Sequence, residues 1–172
     1  MQIAKQKKNI LLIGISGLTH YRLGMFNLLC DDYNVTIAHT NDKLSGANFT
    51  QLKVVAKKIG PFYYMTKEPD LAKYDIVIFS FNIRVLNLYM ALFFKEKYKV
   101  LLFGIGVSAS YNTGYDERKR LDFLMKYVLR KSDGAIFYDL YPLIKYKSYR
   151  INPNKLHVAY NTVLAPDSFK FS

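Results

Sequence analysis

The sequence predicts an α/β fold in which an open parallel β-sheet is flanked by helices. Short, continuous apolar runs recur along the chain, each ended by Gly, Ser, Asn or His, and helix-length segments separate most of them. This alternation is typical of parallel strands joined by crossover helices, because strands buried on both faces appear as unbroken apolar runs. The length of 172 residues and a hydrophobic content of 51% are sufficient for a single domain with a sizeable core.

The predicted elements follow in order along the chain. Strands are predicted at the apolar runs 9–14, 35–38, 74–80, 100–103, 134–138 and 155–159. Helices are predicted at 19–30, with Thr19 as the N-cap, and at 85–97, 117–131 and 140–149. The stretch 52–65 is ambiguous, and we expect two strands there, 52–56 and 62–65, interrupted by Gly60 and Pro61.

Composition limits the cellular setting. The formal net charge of +12 predicts attraction to polyanions or to anionic membrane surfaces. Cys30 is the single cysteine and is expected to be a buried, inert thiol, which suits a reducing cytoplasmic location. The apolar run 76–94 contains Arg84 near its middle, which argues against a transmembrane helix. We expect one domain over 1–163, with 164–172 as the start of an interdomain linker or a truncated tail.

The residues that follow each strand are the candidate site, because ligands of open parallel sheets bind beyond the carboxyl ends of the strands. After the first strand, a glycine loop runs into a helix N-terminus, where a ligand can approach closely and an anion is favoured. The loop contributes Gly14, Ser16, Gly17, His20, Tyr21 and Arg22. The other strand ends contribute Asn82, Arg84, Gly104, Gly106, Tyr138 and Asn161. These groups suit hydrogen bonding to sugars, and Asp139 is the one carboxylate directly after a strand.

Other site chemistries have weaker support. The loop 104–109 matches the relaxed G-x-G-x-x-A pattern, which leaves a nicotinamide cofactor as an alternative, but it follows a late strand and lacks the expected acidic partner. The histidines His20, His39 and His157 are not spaced as metal ligands, so neither a metal nor a cofactor is expected. His157 lies within a strand and is expected to be structural.

The segment 117–150 is basic and aromatic. It carries nine Lys and Arg residues against four acidic residues, with Tyr and Phe interleaved. Such a surface is typical of contact with anionic lipid, and the residues predicted to face the membrane are Arg118, Lys119, Arg120, Lys126 and Arg130. A solvated charged face and a nucleic-acid surface are the alternatives, but no recognised nucleic-acid motif is present, so we expect no nucleic-acid partner.

Two segments carry a resemblance to a known family. Residues 74–106 are similar to a family segment that reads N-x-R-x-L, then a helix, then a strand ending W-G-x-G. The matching residues are Asn82, Arg84, Leu86, Gly104 and Gly106. In residues 117–163 a basic helix and an apolar strand precede the matching Tyr138, Asn161 and Thr162, and the triplet His20–Tyr21–Arg22 is also similar. The chain thus resembles the N-terminal, acceptor-side domain of GT-B glycosyltransferases, in particular the retaining family four.

The resemblance implies a Rossmann-like domain and a hexosyl transfer from a nucleotide sugar to an envelope or lipid-linked glycan. In such enzymes the donor binds mainly to a second, C-terminal domain that this sequence does not contain, so the fragment alone is expected to be inactive. His20 would polarise an acceptor hydroxyl, and Arg22 and Arg84 would contact an anion or the acceptor. Two residues depart from the pattern, since Phe103 and Ile105 stand at the tryptophan and histidine positions of the family's W-G-H-G form.

Overall fold

The computed structural model describes residues 6–14, 22–110, 114–116 and 121–160. The strands are β1 (Lys8–Ile13), β2 (Tyr33–His39), β3 (Thr50–Lys53), β4 (Val55–Ile59), β5 (Phe62–Thr66), β6 (Ile76–Ser80), β7 (Lys99–Gly104), β8 (Ala109–Ser110), β9 (Gly114–Tyr115), β10 (Gly134–Phe137) and β11 (Leu156–Val158). The helices are α1 (Leu23–Leu29), α2 (Leu86–Phe93), α3 (Asp122–Lys131) and α4 (Leu140–Ser148). Short 3₁₀ turns lie at Leu71–Lys73, Lys95–Lys97 and Pro153–Lys155.

Among the described residues, seven parallel strands form the main sheet in the order β11-β10-β7-β6-β1-β2-β3. The chain starts in the middle at β1, builds outward to β3, then returns to the other side of β1 with β6 and builds outward to β11. This is a Rossmann-like α/β fold, as predicted. Its order reverses between β1 and β6, which creates a crevice at their carboxyl ends, where such sheets bind ligands.

Most predicted elements are confirmed within about two residues at each end, which is the usual uncertainty of element boundaries. The predicted helix 85–97 is shorter, because α2 ends at Phe93 and a 3₁₀ turn follows. The Thr19 cap and residues 117–120 of the third predicted helix lie outside the described residues. No helix in the described part of the chain is long and apolar enough to cross a membrane.

The ambiguous stretch 52–65 differs from its prediction. The expected single strand 52–56 is wrong, because β3 ends at Lys53 and β4 starts at Val55. Val54 between them is buried, and its N–H donates to the carbonyl of His39 at 2.9 Å. This anchor separates β3, which pairs with β2, from an antiparallel hairpin of β4 and β5. The hairpin turns at Gly60, whose φ of 57° is the left-handed conformation that glycine adopts without a side-chain clash.

A buried asparagine fixes the hairpin to the main domain. Asn87 on α2 accepts a hydrogen bond from the Met65 N–H at 2.7 Å and donates to the Met65 carbonyl at 3.1 Å. Its amide also donates to Glu68 at 2.7 Å. The Asn87 side chain therefore bonds the backbone of β5 at Met65 in the way that a neighbouring strand would. Its burial is compatible with its polarity, because both the oxygen and the nitrogen of the amide form hydrogen bonds.

The cores on the two faces of the sheet differ in size. On one face, α2, α3 and α4 cover a large cluster that includes Phe79, Leu102 and Phe137. On the other face, α1 covers a smaller cluster around Phe26 and Ile37. Cys30, predicted to be buried, is only partly so, and burial raises the pKa of its thiol, which suits an unreactive side chain. His157 is exposed on the edge strand β11.

Candidate functional site

Backbone hydrogen bonds align the carboxyl ends of the central strands. The N–H of Gly14 donates to the carbonyl of Ala38 at 3.1 Å, and the N–H of Phe81 donates to that of Phe103 at 2.9 Å. The N–H of Tyr138 donates to the carbonyl of Gly104 at 3.2 Å. Pairing therefore continues one residue beyond the strands, so the segments that follow β1, β6, β7 and β10 lie along one edge, as the sequence predicted.

Arg22, a predicted site residue, reaches across this edge to the segments that end β7 and follow β10. It stands at the start of α1, yet the carbon of its guanidinium lies 5.3 Å from the ring centroid of Tyr138 and 6.0 Å from that of Phe103. The two rings stand nearly perpendicular, with centroids 5.0 Å apart and an angle of 80°. A guanidinium over aromatic faces is held by cation–π attraction, so the structure brings Arg22, Phe103 and Tyr138 together as one positively charged cluster, here called the Arg22 cluster.

Asn82 and Arg84 follow β6 in a tight turn. The side-chain oxygen of Asn82 accepts a hydrogen bond from the N–H of Arg84 at 3.0 Å, and its own carbonyl accepts from the N–H of Val85 at 3.1 Å. The Arg84 carbonyl accepts from Tyr63 of the hairpin at 2.8 Å, while the Arg84 side chain is exposed. The side-chain oxygen of Asn82 thus stabilises the turn, a local role typical of asparagine. The charged side chain of Arg84 lies beside it in solvent.

Core packing explains why glycine stands at 106. Gly106 has a φ of 80°, and a Cβ there would lie 2.5 Å from a ring carbon of Phe137. Its carbonyl accepts a hydrogen bond at 2.6 Å from the hydroxyl of the buried Tyr146. Gly104 has a φ of 154°, a backbone conformation that residues with a side chain rarely adopt. The G-x-G pattern is therefore required by the fold itself, and its presence does not call for a dinucleotide.

The carboxylates near this edge have structural partners. Asp139 caps α4 by accepting from the N–H of Tyr141 at 2.8 Å, and it accepts from the Tyr115 hydroxyl at 2.9 Å. Burial and the bond to Asp139 raise the pKa of Tyr115. Asp139 therefore holds the β8–β9 hairpin against α4, and this arrangement gives no support for a role as a general base.

Lys145 is a buried cation that the sequence analysis did not identify. Its ammonium contacts Asp116 at 2.5 Å and Asp122 at 3.0 Å, with all three side chains nearly buried. Burial lowers the pKa of Lys145, but the two carboxylates outweigh it and the pKa is raised. No local pattern could have indicated this cluster, because its acids lie 29 and 23 residues away in the sequence.

His39 lies at the end of β2, next to the strand that leads to Gly14. It is 1% exposed, and neither ring nitrogen has a hydrogen-bond partner among the described residues. Burial lowers its pKa and outweighs the opposing effect of the nearby Gln51 side chain, so the ring is neutral at pH 7. In the described part of the chain no group of three or more His, Cys, Asp or Glu side chains could hold a metal ion.

Several predicted residues lie outside the described ranges. They are Ser16, Gly17, His20, Tyr21, Asn161, Arg118, Lys119 and Arg120. Of the two described residues predicted to face a membrane, Arg130 is exposed. Lys126 is partly exposed, and its ammonium lies over the ring of Tyr149 at 3.5 Å from the centroid.

An open groove lies at the opposite end of the sheet. Its volume is about 470 Å³, and its lining includes Asn9, Tyr33, Asn34 and Lys73. These residues stand at or before the amino ends of β1, β2 and β6. Ligands of open parallel sheets bind beyond the carboxyl ends, so we assign the site to the Arg22 edge.

Comparison with known proteins is informative about the fold. No protein-family profile matches the chain, and no curated protein matches its sequence significantly. A solved structure, Anabaena HepE in complex with UDP and glucose, is similar with a TM-score of 0.57 and 10% identity over 90% of this chain. The chain spans 44% of the length of HepE. The likeness shows that the described domain shares the α/β fold of part of HepE.

Proposed function

We propose that this chain is the N-terminal, acceptor-side domain of a GT-B glycosyltransferase related to the retaining family four. The reaction would move a hexosyl group from a nucleotide sugar to an envelope or lipid-linked glycan. The observation that carries the proposal is the Arg22 cluster, because it places a cation and two aromatic rings at the carboxyl edge of the sheet. Its support from comparison is a fold similar to part of a protein solved with UDP and glucose.

The chemistry of the cluster suits this reaction. Departure of a nucleoside diphosphate leaves negative charge, and a fixed guanidinium at the domain cleft stabilises such charge as it develops. Arg22 is held in place by the rings of Phe103 and Tyr138, so little reorganisation is needed when the charge forms. Phe103, which stands at the tryptophan position of the family pattern, would also offer an aromatic face to a sugar ring.

The other predicted residues complete the proposed site. His20 would polarise the acceptor hydroxyl, and Arg84 would contact an anionic group of the acceptor from the exposed side of its turn. The residues proposed to line the acceptor crevice are Gly14, Ser16, Gly17, Tyr21, Asn82, Gly104, Gly106, Tyr138 and Asn161. We propose that the domain spans 1–163 and acts in the cytoplasm at the inner face of the membrane.

The donor would bind mainly to a separate C-terminal domain, so the proposal predicts that this chain binds acceptor glycans but binds nucleotide donors weakly or not at all. A ligand that binds only the folded state raises the melting temperature. We expect stabilisation by acidic or lipid-linked oligosaccharides and little or none by UDP, GDP, nucleotide sugars or NAD. The measurement is a thermal-shift series with the unmodified chain, Arg22→Gln and the exposed-site control Arg150→Gln.

Each outcome of this series decides a point. Stabilisation by a glycan that Arg22→Gln removes and Arg150→Gln retains would support the acceptor site. Stabilisation by NAD would overturn the glycosyltransferase assignment in favour of the nicotinamide alternative. Stabilisation by none of these ligands, in any variant, would count against an acceptor site in this domain.

A second candidate function is a non-catalytic basic module that docks on an anionic membrane or a partner. The net charge of +12 favours it. In that case Arg22→Gln would leave every binding property unchanged, because the Arg22 cluster would then have only a structural role.

A further inference from the structure

Two neighbouring helices carry large apolar side chains that are exposed. Phe93 and Phe94 at the end of α2 are 80% and 64% exposed, and Met90 one turn earlier is 48% exposed. On α3, Phe123 and Tyr127 are 66% and 49% exposed. We call these five residues the aromatic patch. Adjacent exposed rings of this size are unusual on a monomer surface and typically mark an interaction site.

The patch has a defined shape. The rings of Phe93 and Phe94 pack edge to face, with centroids 4.9 Å apart and an angle of 81°. On α3, Phe123 and Tyr127 are one turn apart and therefore share a helix face. Tyr127 contributes to the raised pKa of Tyr89 on α2, after the larger effect of burial, which shows that Tyr127 lies toward α2.

A polar clamp joins the ends of the two helices. The ammonium of Lys95, directly after the aromatic pair, donates to the carbonyl of Lys131 at 2.6 Å and forms an ion pair with Asp133 at 3.4 Å. The end of α2 is thereby fixed against the end of α3. The patch is presented by a supported two-helix surface, so its exposure does not depend on a loose loop.

Positive charge surrounds the exposed rings. Lys97, Arg130 and Lys131 are exposed at the same ends of the helices, and Glu96 is the exposed acid among them. Arg130 shares the helix face of Phe123 and Tyr127, at a spacing of three residues from Tyr127. The combination of apolar rings with a basic rim complements an anionic lipid interface, where rings enter the headgroup region and cations remain with the phosphates.

We propose that the aromatic patch docks this domain on an anionic lipid membrane, with Phe93 and Phe94 as the inserted side chains and Lys97, Arg130 and Lys131 as the headgroup contacts. A second copy of the chain fits less well, because a two-fold contact would bring the same cations face to face. The patch faces outward from the helix layer, so docking leaves the carboxyl edge of the sheet uncovered. The inference is independent of the transfer reaction, since it requires neither donor nor acceptor.

The chain contains no tryptophan, so one introduced tryptophan reports on its own surroundings. We would compare Phe93→Trp with the matched control Leu28→Trp, an exposed position on α1 over the other face of the sheet. The probes are vesicles of phosphatidylcholine alone or with about one-third phosphatidylglycerol, an anionic content chosen to attract basic residues near the surface. We expect a blue shift and quenching by brominated lipid for Phe93→Trp with anionic vesicles, and neither for Leu28→Trp.

Sedimentation with the same vesicles tests the binding energy. The double variant Phe93→Ser, Phe94→Ser should lower the membrane partition constant about tenfold or more, because it removes two rings that would otherwise be buried in lipid. The pair Leu28→Ser with Ile144→Ser is the control, since both side chains are exposed apolar residues outside the patch. Circular dichroism would verify that all variants are folded. Arg130→Gln with Lys131→Gln should weaken binding most at low salt.

Four results would overturn the proposal. The first is that the parent chain does not sediment with anionic vesicles. The second is that the Phe93→Ser, Phe94→Ser variant sediments as well as the parent chain. The third is a blue shift of Phe93→Trp that depends on protein concentration in the absence of lipid. The third would assign the patch to a second copy. The fourth is binding of a single-stranded oligonucleotide that competes with vesicles and is lost in the same variant, which would assign it to nucleic acid.

Discussion

The two faces of the main sheet differ in how completely β6, β7 and β10 are covered. Beneath α2, α3 and α4, the strand residues Val77, Val100, Leu102 and Phe137 are fully buried. Their neighbours on the opposite face, Ile78, Leu101, Phe103, Ile136 and Tyr138, are only partly buried. On that side α1 supplies seven residues of helix among those described. We call these the dense face and the sparse face.

The difference separates stability from chemistry. The dense face contains the largest fully buried rings and the core of the domain. The sparse face carries Phe103 and Tyr138, with Arg22 lying over them from the start of α1. The proposed acceptor site lies on this incompletely covered face, which gives a ligand access to it. Substitutions on the two faces should therefore affect different properties.

The largest contrast is expected between two phenylalanines at neighbouring strand ends. Phe137→Ala on the dense face should lower the free energy of unfolding by about 3–5 kcal/mol, because a fully buried ring stacked on Tyr146 leaves a cavity. Phe103→Ala on the sparse face should cost about 1–2 kcal/mol, because the ring is partly exposed. Urea denaturation measures both, and equal losses would remove the distinction between the faces.

A smaller contrast is expected between two glycines with positive φ. Gly106→Ala should lower the free energy of unfolding by about 2–3 kcal/mol, because the new methyl group would overlap Phe137 of the dense face. Gly60→Ala is the matched control, since nothing lies within 4 Å of a Cβ there and backbone strain of about 1 kcal/mol is the remaining cost. A Gly106→Ala variant as stable as Gly60→Ala would show that the 104–106 turn can shift away from the core.

Arg22→Gln tests the sparse face alone. We expect a loss of about 1 kcal/mol or less in the free energy of unfolding, the size of a partly exposed cation–π contact. We expect the same variant to remove glycan-dependent stabilisation. Chemical denaturation measures the first effect and thermal shift measures the second, both on one preparation. A loss in the free energy of unfolding as large as that of Phe137→Ala would make Arg22 a core residue rather than a binding residue.

The smallest effect concerns pH. The folded-state pKa of His39 is lowered by burial, so the unfolded chain binds the proton more tightly. Above the ordinary histidine pKa, His39 is neutral in both states and does not lower the free energy of unfolding. As pH falls through that pKa, the unfolded chain takes up the proton first, so the free energy of unfolding declines. His39→Phe should flatten this acid dependence, whereas His157→Gln, at an exposed histidine, should not. The measurement is the unfolding midpoint of the unmodified chain and the two variants between pH 7.5 and pH 5, a range that spans the ordinary histidine pKa. Parallel curves for all three proteins would contradict the prediction.

The strands were predictable because each appears in the sequence as a short continuous apolar run, as β6 does, and such runs are typical of parallel sheets with helices on both sides. The hairpin of β4 and β5 was only half predictable. Gly60 marked its turn, but the break at Val54 depends on a hydrogen bond to His39 from another strand. Asn87 looked like an ordinary polar residue in an apolar helix, and its role depends on Met65, 22 residues earlier.

The sequence alone determined the α/β class, the parallel sheet and the edge at which the segments that follow the strands gather, because these follow from hydrophobic periodicity and from the polarity of parallel strands. The tertiary structure decided which of those residues meet. Arg22 finds Phe103 and Tyr138, Lys145 finds Asp116 and Asp122, and the aromatic patch forms from two helices. Such contacts join side chains distant along the chain, and packing between elements, rather than any local pattern, sets which distant residues become neighbours.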